Sequence, residues 1–112
     1  MDSADLQASL LDQLNRLIVK MTSPEWDVTV QSMPDKQQKQ AQKQLLLLQQ
    51  SRRIFSNAQL EEIAADLTAN EPAIVTGQKA VQASVDSFAT AETVLKTASA
   101  VLKTLAKVVP LA

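Results

Sequence analysis

The sequence predicts an all-α protein, and three observations carry that expectation. The chain of 112 residues holds one Gly and four Pro. Sheets and tight turns use glycine freely, whereas helices avoid it. Aromatic residues make up only 3% and tyrosine is absent, although strands favour aromatic side chains. Third, the good helix formers Ala, Leu, Gln and Lys dominate, and the apolar residues recur at helical spacing. The length suits a single domain, 1–112. The expected architecture is a small antiparallel four-helix bundle. Its helices fall at 3–21, 35–55, 58–69 and 71–109, with a loop at 22–34.

The first helix opens on Asp2 or Ser3 as a cap, and Asp5 suits its positive first turn. Leu10, Leu14, Leu17 and Met21 step by four, three and four along one side. Leu11 and Ile18 widen that line into a stripe for packing against two neighbours. Residues 22–34 interrupt the pattern. Ser23 before Pro24 can cap a short helical turn there, and Trp26 is the one tryptophan of the chain. It reads as a loop anchor over one end of the core, or as an exposed contact for a partner.

The second helix begins after Pro34. Its first half, DKQQKQAQKQ, is polar nearly all round, and its middle, Leu45 to Leu48, is apolar all round for a full turn. Such a turn is expected to be covered on more than one side, which makes this helix central in its middle. The next helix starts where Ser56 and Gln59 have capping-box spacing and Glu61 and Glu62 favour a helix start. Leu60, Ile63, Ala64 and Leu67 form its stripe, and Pro72 forbids an unbroken run past it.

From Glu71 onward the pattern is heptad-like. Ile74, Val81, Phe88, Leu95, Leu102 and Val109 stand seven residues apart. Gly77, Ser84, Ala91, Ala98 and Leu105 follow three residues after the first five. Read as one helix to Pro110, this stretch spans about 58 Å. The other helices are expected to fold against it, and its surplus stripe to seek a partner. Gly77 is its weakest point for a bend, and Thr90, Thr93 and Thr97 soften its middle.

Little chemistry is on offer. Histidine and cysteine are absent, which removes the common nucleophile, general-base and zinc sites. A single glycine cannot make a phosphate loop. Glu62 and Asp66, one helical turn apart, read as a solvated acidic face rather than a cation site. No cofactor or metal is expected, and no enzyme. The net charge is −1, with no overall pull towards nucleic acid. Residues 35–56 carry five cations against Asp35, a balance of +4, and 57–72 carry four carboxylates, a balance of −4. Consecutive helices with those charges can neutralise each other, so nucleic-acid binding is not the expectation.

The expected role is therefore a non-enzymatic helical protein-interaction module. It is expected to self-associate through the long C-terminal helix, with Trp26, Leu95, Leu102, Leu105 and Val109 as contacts. The alternative uses residues 92–112 as a membrane-associating or membrane-disrupting helix, with Lys96, Lys103 and Lys107 facing anionic lipid. The acidic start lacks the basic and apolar regions of a secretory signal, and no long uncharged apolar stretch appears. The expected location is cytoplasmic, with secretion by a signal-less route left open.

Overall fold

The computed structural model describes residues 1–86 and 89–109. The chain is all-α. Among the described residues there are six helices: α1 (Ser3–Met21), α2 (Pro24–Gln31), α3 (Asp35–Asn57), α4 (Leu60–Ala69), α5 (Glu71–Ser84) and α6 (Ala91–Ala106).

The caps explain most of these boundaries. The Asp2 carboxylate accepts from the Asp5 amide at 2.8 Å, and Ser23 Oγ accepts from the Trp26 amide at 3.2 Å. Pro24 at the first turn of α2 costs no hydrogen bond. The expected loop at 22–34 thus contains a two-turn helix. The expected capping box at Ser56 and Gln59 does not form. Ser56 still belongs to α3, and Gln59 stands at the cap of α4 without a side-chain bond.

The expected 39-residue helix is two helices. Residues Ser84 to Thr90 hold four poor helix formers, Ser84, Asp86, Ser87 and Thr90. Thr90 caps the restart by accepting from the Thr93 amide at 3.2 Å, and Glu92 lies in the first turn of α6. An unbroken helix of about 58 Å would have outrun a molecule whose longest extent is 43 Å. Folding it back lets the two halves of the stripe cover each other and α1. Ser84 Oγ donates to Thr97 Oγ1 across the hairpin at 2.7 Å. Ile74, Val81, Leu95, Leu105 and Val109 are buried, and Leu102 is half-buried. Phe88 and Pro110, which the heptad reading also used, lie outside the described residues.

The organising element is α1, not the C-terminal stretch. It packs on all five other helices, and Leu6, Leu10, Leu14 and Leu17 are fully buried. Its partnership with α5 is parallel, which departs from the expected antiparallel bundle. Hydrogen bonds advance along both helices in the same sense. Gln13 Nε2 donates to the Ile74 carbonyl at 2.9 Å, Arg16 Nη1 to Gln82 Oε1 at 2.6 Å, and Lys20 Nζ to the Asp86 carbonyl at 3.5 Å. The parallel run is possible because α4 comes first. It ends at Asn70 and Pro72, and α4 and α5 then both pack on α1 rather than on each other.

The lone glycine sits at the closest approach of this pair. A Cβ on Gly77 would stand 2.5 Å from Gln13 Oε1. Gln13 is only 2% exposed, and its amide is also held by Ser9 Oγ at 3.2 Å. It has little room to yield.

The middle of α3 is covered on one side only. Leu48 is fully buried and Leu45 is half-buried, but Leu46 and Leu47 face solvent. The buried line of α3 is Ala41, Gln44, Leu48, Ser51 and Phe55. The helix is therefore a wall of the bundle and not its centre.

Four outcomes are expected. Leu48→Ala should cost about 2–5 kcal/mol in denaturant unfolding, because it empties a packed site. Leu46→Ala should change stability by under about 0.5 kcal/mol, as surface substitutions do. Gly77→Ala should destabilise the wild type by about 1 kcal/mol. A displaced Gln13 loses a buried bond worth about 1–3 kcal/mol, against the roughly 1 kcal/mol gained in helix propensity. In a Gln13→Ala background the same change should become stabilising. A double-mutant cycle measures that reversal of sign.

Candidate interaction surface

The side chains expected to meet a partner are mostly core. Trp26 is held by the Ser23 cap of α2 and closes the bottom of the bundle beside Met21, Val30, Ala41 and Leu45. Leu95, Leu105 and Val109 are buried, and Leu102 packs half-buried against the same core. This corrects the expectation of a free apolar stripe on the C-terminal helix. The fold consumes the stripe internally once α6 turns back on α5. Lys96, Lys103 and Lys107 are exposed on the opposite side of α6, a solvated back to a core helix. The apolar side that would enter a lipid interface is thus already occupied by the chain itself. Among the described residues no helix is long and apolar enough to cross a membrane.

Nor does the fold assemble a reactive cluster. Glu62 and Asp66 are exposed on α4. Among the described residues no three acidic side chains gather in a group that could hold a metal ion. Two grooves among the described residues are of about 620 and 630 Å³. One runs past Val19 between α1, α2 and the end of α5, where Arg16 is tied to Asp12 at 3.0 Å and to Gln82. The other lies between the first halves of α3 and α6, with Glu92 and Lys96 on one wall and Gln37 and Gln40 on the other.

What the fold does present is an apolar strip on the outer face of α3. Leu46 is 54% exposed, and Leu47 and Ile54 are 39% exposed. Residues 46, 50 and 54 follow one another at single-turn spacing, and 47 and 54 are two turns apart, so one face carries them all. The same face continues through exposed Lys36, Lys39 and Lys43 on one side and through Gln50, Arg53 and Asn57 on the other. The strip has an apolar centre within a basic and amide rim, which is how a helix-docking surface is built.

The sequence carried the signal for this strip, in the four leucines in a row. One helical turn holds 3.6 residues, so four consecutive leucines point to every side. The core meets one side of a wall helix, and the others are left to water. Ile54 beside the buried Phe55 repeats the situation two turns on. A buried polar group completes the picture on the inner side, where Gln44 Oε1 is enclosed without a hydrogen-bond partner. A protein-family search, a search of curated proteins and a search of solved structures each found no match to this chain.

The reassignment of the C-terminal stripe is checked by substitution. Leu105→Gln should destabilise by about 3–5 kcal/mol, since it removes core packing and buries an unpaired amide. Changing Lys96, Lys103 and Lys107 together to Gln should leave the melting temperature within a few degrees of wild type.

Proposed function

We propose that this chain is a non-enzymatic helical protein-interaction module that self-associates, with the outer face of α3 as its contact. The observation that carries the reading is that Leu46, Leu47 and Ile54 are exposed on one face of α3, whereas Val19 and Val28 are exposed singly on other helices. Large apolar side chains scattered singly over a surface call for no explanation, but a contiguous strip with a polar rim is a docking feature. The lack of histidine and cysteine supports a binding role over a catalytic one. The net charge of −1 favours a protein partner over nucleic acid. A cytoplasmic setting suits such a module.

Light scattering coupled to size exclusion tests this over a range of concentrations. Wild type should exceed the monomer mass as concentration rises. The double variant Leu46→Gln, Ile54→Gln should stay monomeric while keeping the wild-type helicity. A wild type that remains monomeric throughout overturns the proposal. So does a double variant that associates as wild type does.

A further inference from the structure

The outer face of α3 is centred on Gln50, and the residues to either side of it define what fits the face. Leu46 and Ile54 lie four residues to either side of Gln50, Leu47 and Arg53 three, and Lys43 and Asn57 seven. We infer that the occupant is the α3 of a second copy of this chain, laid antiparallel across a two-fold axis at Gln50, with charge fixing the direction. The inference rests on the self-association proposed above and adds its geometry and its selecting residues.

A two-fold contact uses the same patch on both molecules, so each residue must suit the one at its mirrored position. Across an axis at 50, Leu46 meets the partner's Ile54 and Ile54 meets the partner's Leu46. Leu47 lies along the aliphatic stem of the partner's Arg53, whose guanidinium stays in water. Lys43 meets a neutral Asn57. No cation is placed directly opposite a cation.

Charge separates this arrangement from the parallel one. The three lysines of the face, Lys36, Lys39 and Lys43, all lie before the apolar strip. α3 ends at Asn57, and α4 begins at Leu60 with Glu61 and Glu62 in its first turn, both exposed. Lys39 is eleven residues from the axis, roughly 16 Å, and Asn57 is seven, roughly 10 Å. In the antiparallel dimer Lys39 therefore reaches just beyond the end of the partner's α3, where those two carboxylates begin. In a parallel dimer the lysine-bearing halves would lie against each other and repel. Opposite charges brought together fix register and direction more than they add affinity. None of these lysines or glutamates forms an ion pair within the described part of its own chain.

The test exchanges the charges. One variant carries Lys39→Glu and Lys43→Glu, and the other carries Glu61→Lys and Glu62→Lys. Each alone should dissociate at concentrations where wild type is dimeric, with the helical content of the monomer retained. An equimolar mixture should restore the dimer mass, because each altered face then meets its complement. Since the chain has no cysteine, Gln50→Cys supplies a single thiol at the axis. It should oxidise readily to a covalent dimer, whereas Gln78→Cys on the far side of the bundle should not. The inference is overturned if Lys39→Glu, Lys43→Glu strengthens association, which is the parallel result, or if Gln50→Cys fails to cross-link. In either case a wild type that still dimerises leaves the self-association itself standing, and only a monomeric wild type removes both.

Discussion

The fold depends on how closely α1 and α5 approach at Gln13 and Gly77. Parallel neighbours in one chain require a long return path, and here α2, α3 and α4 provide it. The return is useful only if α5 can settle against the leucine stripe of α1. A residue with no side chain at the crossing makes the separation small. The amide of Gln13 then spans the gap to the Ile74 carbonyl, and the apolar side chains on either side, Leu10, Leu14, Ile74 and Val81, close over it. A buried amide that is bonded fixes one register where leucines alone would tolerate several. The neighbouring polar links, Arg16 to Gln82 and Lys20 to the Asp86 carbonyl, follow from that register and contribute less because they are exposed.

Much of the helical content was legible because it rests on local signals. Asp2, Ser23 with Pro24, and Asn70 with Pro72 each mark a boundary by their own chemistry, and the structure uses all three. The break after Ser84 was written in the same alphabet, as Ser84, Asp86 and the Thr90 cap. It was overridden by a seven-residue periodicity that runs through it. Periodicity reports which side of a helix is apolar. It does not report whether two apolar stretches in phase are one helix or two that face each other. That depends on whether a neighbour exists to cover the stripe, a tertiary fact. The same limitation made the C-terminal stripe look like a free surface. Leu102 and Leu105 look like surplus when the stripe is straight, and become core when it doubles back.

The α3 helix shows the converse. Its composition makes it look central, but its position makes it a wall. Its inner line is modest, with Ala41, Gln44 and Ser51 alternating with Leu48 and Phe55. Small and polar residues there let α3 lie close to α1 and α6 without contributing much apolar burial of its own. A wall with leucine and isoleucine on its outside gains from a second layer of protein in a way that α1 does not. Binding and stability are then linked, since any partner that covers α3 favours the folded state by mass action.

The central place of α1 also has a consequence in time. It is the first helix of the six to leave a ribosome, and four of its leucines are fully buried. Gln13 and Ile74 are 61 residues apart in sequence. At roughly 5–20 residues per second, several seconds or more separate the synthesis of the stripe from that of the helix that seals it. During that interval the leucines of α1 have only α2, α3 and, at its end, α4 to lean on. Slow synthesis of residues 58–74 would lengthen the exposure, and a chaperone that shelters nascent apolar segments would find its best target at the very start of this chain.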